Sequence, residues 1–181
     1  MTTHTTQMVN EKALTLLLGN IVESEVDAIA NAANSSLMGG GGVDGAIHRA
    51  AGPGILDECR IIGRCRTGNA VATSAGKLKA RYIFHAVGPV YHGRDDDAQL
   101  LRSAYQRCLE LADERHIKSL AFPSISTGIY GYPVNAAAPI ALSTVKKHLQ
   151  TATTLELVQF VLFDQHTYDA YVSALQDLST Q

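Results

Sequence analysis

The chain has 181 residues, 46% of them hydrophobic, enough for one domain with its own core and short for two. Only 18% are charged and the formal net charge is −2, which excludes a general electrostatic surface for nucleic acid or an anionic membrane. Any polyanionic ligand has to be gripped locally. Cys59, Cys65 and Cys108 form no CxxC and no paired framework, so reduced thiols are expected and no metal centre.

In chain order, residues 1–12 lack the basic and apolar regions of a signal peptide and read as a loose tail ahead of a single domain at 13–181. Apolar runs that end in glycine or proline predict strands at 14–19 (LTLLLG) and 27–33 (DAIANAA). Helices are predicted at 43–51 and 54–64, then strands at 70–76 and 81–89. A helix at 98–116, a strand at 119–125, a helix at 135–150, a strand at 155–163 and a helix at 167–178 complete the series. In the longest helix, Leu100, Leu101, Tyr105, Cys108, Leu109, Leu111 and Ala112 fall at three- and four-residue spacings and predict one buried face, while Asp95 to Asp97 suit its N-terminus. LTLLL and FVLF are apolar without alternation, the mark of strands covered on both faces. The expected architecture is a three-layer α/β/α domain with a mixed, about six-stranded central sheet. Ligands of such sheets bind at the carboxyl ends of the strands. No apolar run approaches the ~18–20 residues of a membrane span, and a cytoplasmic monomer is expected.

The stretch NAANSSLMGGGGVDGAIHRAAG, residues 31–52, sets four glycines before a helix. Glycines allow positive φ and close approach of a ligand to bare N–H groups, and the helix N-terminus favours phosphate. Gly40, Gly42 and Gly45 satisfy G-x-G-x-x-G, but NSSLM separates them from the strand. No acid follows about 20 residues on, so a dinucleotide redox site is disfavoured. Gly76-Lys77 lacks the rest of a Walker A loop. FPSISTGIYGYP, residues 122–133, is a second loop rich in hydroxyls and glycine, with Tyr130 as an aromatic surface. Two such loops facing one cleft suit a diphosphate, although either alone also reads as a capped turn.

Asn34 can donate and accept, as a ribose hydroxyl requires, and Asp44 sits in a first helical turn, where the dipole favours an anion able to orient water. An Asx turn and simple dipole complementation are the bland alternatives. Among seven histidines, His85 reads as a core or sub-site residue, while His48 lies one turn after Asp44. His4, His92, His116, His148 and His166 are scattered.

NAANSSLMGGGGVDGAIHRAAGP, with HAVGP and FPSISTGIYGYP, resembles a macro domain of the MacroD-type group of ADP-ribosyl hydrolases, from about Leu14 to the C-terminal helix. The resemblance implies ADP-ribose in a cleft across the strand ends, with Gly40, Gly41, Gly42 and Val43 near the distal ribose and diphosphate. Ser126, Thr127, Gly128, Ile129 and Tyr130 would close over the phosphates. It further implies that Asn34 binds a ribose hydroxyl, that Asp44 positions the attacking water, that Tyr130 packs on that ribose, and that Asn20 through its carbonyl oxygen, Ile21 by its backbone and Phe163 by its ring frame the adenine. The implied reactions are removal of ADP-ribose from acidic side chains of modified proteins and deacetylation of O-acetyl-ADP-ribose, with no cofactor. Two positions depart from the pattern: Asn20 stands where an aspartate is common, and Phe163 where a tyrosine is frequent. A non-catalytic ADP-ribose reader shares both loops but has no need of Asn34 with Asp44, so the pair favours the enzyme. RNA binding has weak support from the charge balance.

Overall fold

Strands and helices alternate along nearly the whole chain in the computed structural model, which describes residues 2–180. Met1 and Gln181, the outer ends of the expected tail and domain, lie outside the described residues. The elements are β1 (His4–Val9), β2 (Lys12–Leu18), a 3-10 turn (Ile21–Glu23), β3 (Ala28–Ala32), α1 (Gly42–Ala51), α2 (Gly54–Ile62) and β4 (Ala70–Ser74). They continue with β5 (Tyr82–Ala86), α3 (Asp95–Glu114), β6 (Ser119–Phe122), α4 (Val134–Leu149), β7 (Leu157–Leu162) and α5 (Gln165–Ser179).

One seven-stranded sheet runs in the order β1-β2-β7-β6-β3-β5-β4. The five inner strands are parallel, and β1 and β4 pair antiparallel at the two edges. The sheet therefore has one strand more than expected, and that strand corrects the reading of residues 1–12 as a loose tail. The segment pairs with β2 from His4↔Leu17 to Val9↔Lys12, joined by a tight turn in which Asn10 and Glu11 both have positive φ. An edge strand with a solvent face can be polar, so HTTQMV carries little apolar signal, and the turn has no glycine to announce it.

Alternate residues of the central strands feed two cores. Ala28, Ala30, Phe84, Phe122 and Phe160 pack toward α3, α4 and α5. Ile29, Ile83, Ala121 and Val161 pack toward α1 and α2. This is the three-layer α/β/α architecture, with both sheet faces covered as the apolar runs require. At the start of α3, the Asp97 carboxylate accepts from the N–H groups of His92 at 2.9 Å and Arg94 at 3.1 Å, the end-capping role expected of the acidic run.

Candidate functional site

The carboxyl ends of all five parallel strands open into one cleft of about 660 Å³. Asn20 follows β2, Ala33 and Asn34 follow β3, Gly88 follows β5, residues 123–130 follow β6, and Phe163 follows β7. Gly40, Gly41, Gly42, Val43 and Asp44 line it at the start of α1.

Asn34 builds the first wall. Its Oδ1 accepts from Leu37 N–H at 3.1 Å and from the Ser36 hydroxyl at 2.6 Å, while its Nδ2 donates to the Gly39 carbonyl at 3.0 Å. Asn34 thus braces its own loop, through an N–H three residues on rather than the two of an Asx turn, and holds the glycine run from a residue that also lines the cleft. Gly39 and Gly42 have positive φ. Gly41 caps α1 with no side-chain hydrogen bond, so the first N–H groups of the helix stay open beside the cleft. A β-carbon added to Gly45 would stand 2.5 Å from the Gly40 carbonyl, so this glycine lets the loop lie against the helix.

Asp44 is 6% exposed. Its Oδ1 accepts from Asn31 Nδ2 at 2.8 Å, and His48 Nε2 lies 3.3 Å from the same oxygen but outside hydrogen-bond geometry. Its Oδ2 has no side-chain or backbone partner among the described residues and faces the space beside Gly40 and Asn34. An anchored carboxylate with one free oxygen toward the cleft can accept a hydrogen bond from a bound water or hydroxyl.

The second wall is residues 123–130, and two buried tyrosines fix its start. Tyr105 OH accepts from Ile125 N–H at 2.9 Å, and Tyr171 OH donates to Ser124 Oγ at 2.9 Å. Ser126 has φ 68°, an uncommon conformation for a residue with a side chain, and its buried Oγ has no partner among the described residues. Thr127 spends its hydroxyl inside the loop, on Ser124 Oγ at 2.8 Å. Gly128 is exposed, Ile129 is 84% exposed, and the Tyr130 carbonyl accepts from Tyr91 N–H at 2.9 Å. The loop packs on Gly88, where a β-carbon would stand 2.2 Å from Ser126 Oγ.

At the other end, Phe163 is 81% exposed, a bare aromatic face beside the cleft. Asn20 Oδ1 accepts from Val22 N–H at 3.2 Å, which caps the 3-10 turn and leaves its amide group beside the opening. Ile21 does not line the cleft; its side chain is 2% exposed and packs with the α1 and α2 core. The structure thus gathers every expected site side chain around one opening, and Ile21, expected to act by its backbone, directly follows Asn20 of that lining. Sequence reasoning missed Gly88, Arg49, Asp164 and Thr167 as lining residues, and Asn31 as the partner of Asp44. The glycine in HAVGP was a usable signal for the first; Asn31 gave none, being one polar residue in an apolar strand.

His85 is fully buried and points into the α1 side of the sheet, where its ring accepts or donates to Asn31 and Thr73. Burial, then the neighbouring His48, push it down to about 4, so it is neutral at physiological pH. Cys59, Cys65 and Cys108 are buried and unpaired, and burial raises all three thiols. Among the described residues no group of His, Cys, Asp and Glu could hold a metal ion, and no helix is long and apolar enough to cross a membrane. A second groove of about 430 Å³ lies between Arg66 to Asn69 and α3, but it has neither glycine loop, and its Arg107 is paired with Glu110 and Glu114.

Known proteins share this geometry. The macro domain family model matches residues 30–141. An O-acetyl-ADP-ribose deacetylase of Salmonella typhimurium is 52% identical over 167 residues, covering 90% of this chain and 93% of the relative. The solved Oceanobacillus iheyensis macrodomain with ADP superposes with a TM-score of 0.96 at 39% identity, covering 99% of this chain and 98% of that one. The Trypanosoma brucei macrodomain in complex with ADP-ribose gives 0.85 at 40% identity, over 90% of this chain and 68% of that one. With its sheet, its two loops and its sequence all in common with these proteins, the chain belongs to the macro domain family.

Proposed function

We propose that this protein binds ADP-ribose in the cleft and hydrolyses an ester on the distal ribose. O-acetyl-ADP-ribose is one substrate, and glutamate- or aspartate-linked ADP-ribose on modified proteins is the other. In each, water cleaves the ester to leave a carboxylic acid and a ribose hydroxyl. The observation that carries the reading is the free Oδ2 of Asp44, turned toward the space that Gly40 leaves open beside Asn34. Both residues can hydrogen-bond to the same small region, one as a donor and one as an acceptor.

The rest of the cleft supplies binding. The open N-terminus of α1 and the backbone of residues 126–130 suit the diphosphate, and Phe163 offers a face to the base. Asp44 orients the water rather than supplying strong base, and positioning of this kind lowers the barrier by removing the entropy of encounter. The deacetylase name of the Salmonella relative and the ADP-ribose in the trypanosomal structure support the substrate class.

The test is release of free ADP-ribose from a protein mono-ADP-ribosylated on glutamate, alongside calorimetric binding of ADP-ribose. Release and binding together are the expected result. Binding of ADP-ribose with no release from the modified protein and no hydrolysis of O-acetyl-ADP-ribose would make the chain a reader.

A further inference from the structure

Behind the cleft, a line of buried polar side chains crosses the sheet from β4 to α1. Thr73 is 4% exposed, while His85 and Asn31 are fully buried. Asn31 and His85 face each other in the β3–β5 register, on the face that carries Ile29 and Ile83 toward α1 and α2. The contacts are Thr73 Oγ1 to the Ser74 carbonyl at 2.9 Å and Thr73 Oγ1 to His85 Nε2 at 2.8 Å. They continue with Asn31 Nδ2 to His85 Nδ1 at 3.2 Å and to Asp44 Oδ1 at 2.8 Å.

Only one assignment of protons satisfies this line. The single hydroxyl proton of Thr73 goes to the Ser74 carbonyl, so Thr73 accepts from His85 Nε2–H. A neutral ring protonated at Nε2 leaves Nδ1 as an acceptor, and Asn31 fills it with one amide proton. The second amide proton of Asn31 then goes to the Asp44 carboxylate. Turning the Asn31 amide over would put its carbonyl oxygen against that carboxylate and against the lone pair of Nδ1. The amide is thus held by its two donors, while its buried Oδ1 has no partner among the described residues.

An unpaired buried oxygen costs stability, and an apolar residue in place of Asn31 would avoid it, as Ile29 does on the same face two residues earlier. The line ends at the one residue of the set that lines the cleft, and at the oxygen that faces away from it. We propose that Asn31, oriented by His85 and Thr73, is the positioning residue that fixes the Asp44 carboxylate with Oδ2 toward the substrate. The proposal rests on the hydrolase reading above and adds the residues that aim its key carboxylate.

The test combines kinetics with a spectroscopic readout. Acetate release from O-acetyl-ADP-ribose is measured for the wild type and for Asn31→Leu, His85→Leu and His85→Asn, with ADP-ribose affinity and melting temperature for each. For Asn31→Leu, kcat falls by about ten- to a hundredfold, the scale of a misplaced catalytic group. ADP-ribose affinity stays within about threefold, because Asn31 does not line the cleft. His85→Asn retains a side-chain acceptor for the Asn31 amide and keeps most of the rate that His85→Leu loses. In the wild-type protein, ¹⁵N NMR of His85 shows the Nε2–H tautomer from pH 6 to 9, a readout that needs no turnover.

Unchanged kcat in a folded Asn31→Leu protein, equal loss in both His85 variants, or an Nδ1–H tautomer overturns the proposal while the hydrolase reading stands. Absence of acetate release from the wild type overturns the hydrolase reading itself, and the positioning role with it.

Discussion

A β-carbon on Gly40 would stand 3.2 Å from Asp44 Oδ2 and 3.5 Å from Asn34 Nδ2. The glycine therefore keeps open the gap between the two polar groups, where a ribose and its water would sit. Its φ is not in the left-handed region, so alanine or valine meets no backbone strain there. Gly40→Val should lower kcat/KM for O-acetyl-ADP-ribose by at least about tenfold, or about 1.4 kcal/mol, with the melting temperature nearly unchanged. Steady-state kinetics beside a thermal melt checks both halves of the expectation.

Gly88 behaves differently, since a β-carbon there would stand 2.2 Å from Ser126 Oγ and 2.5 Å from Ile125 Cγ2. Gly88→Ala has to move the second loop, whose start is pinned by Tyr105 and Tyr171. A loss of about 1–3 kcal/mol in stability is expected from overpacking. Weaker ADP-ribose binding should accompany it. Urea unfolding and calorimetry measure the two effects on the same sample.

Phe163 and Asn20 should separate affinity from turnover. Phe163 is 81% exposed, so Phe163→Ala should leave stability intact while binding of ADP-ribose weakens by about 1–3 kcal/mol, the worth of one stacked base. Phe163→Tyr should be neutral. Asn20→Asp keeps the cap on Val22 N–H and gives the adenine amino group a charged acceptor, which should tighten binding by about 1 kcal/mol. Titration calorimetry with ADP-ribose decides each case.

Acid stability should depend on Asp113, which joins the end of α3 to α4 and to the approach of β7. Its carboxylate accepts from Thr153 Oγ1, from Thr154 N–H at 3.1 Å and from His148 Nε2 at 2.8 Å. Burial opposes its charge, but these three partners prevail and hold the carboxyl below its ordinary value. A carboxyl lowered in the folded state adds stability above its unfolded value of about 3.9, and that stability is lost as pH falls through the folded value. Asp113→Asn should therefore lower the melting temperature at pH 7 and narrow its gap to wild type below about pH 4. Melting curves from pH 2.5 to 7 show whether the gap closes.

The glycine loops were legible in sequence because glycine has few reasons to occur in runs, and because helix starts and phosphate share the same unpaired N–H groups. Asn34 and Asp44 were legible as chemistry, yet their alternatives could be resolved only in space. Asn34 does brace its own loop, through Leu37 N–H and the Gly39 carbonyl, and the loop and the site use the same side chain. β1 was invisible because an edge strand can be polar and its turn is made by Asn10 and Glu11. Ile21 was expected to serve the adenine by its backbone, and its buried side chain, which packs in the core, is compatible with that role. The Asn31–His85–Thr73 line joins residues from three strands, so no spacing along the chain could reveal it.

The most direct measurement is acetate release from O-acetyl-ADP-ribose by the wild type and by Asp44→Ala, with ADP-ribose affinity determined for both. Turnover by the wild type that falls at least about a hundredfold in a variant still able to bind ADP-ribose is the expected result. Equal turnover by the two proteins would contradict the role given to the Asp44 carboxylate.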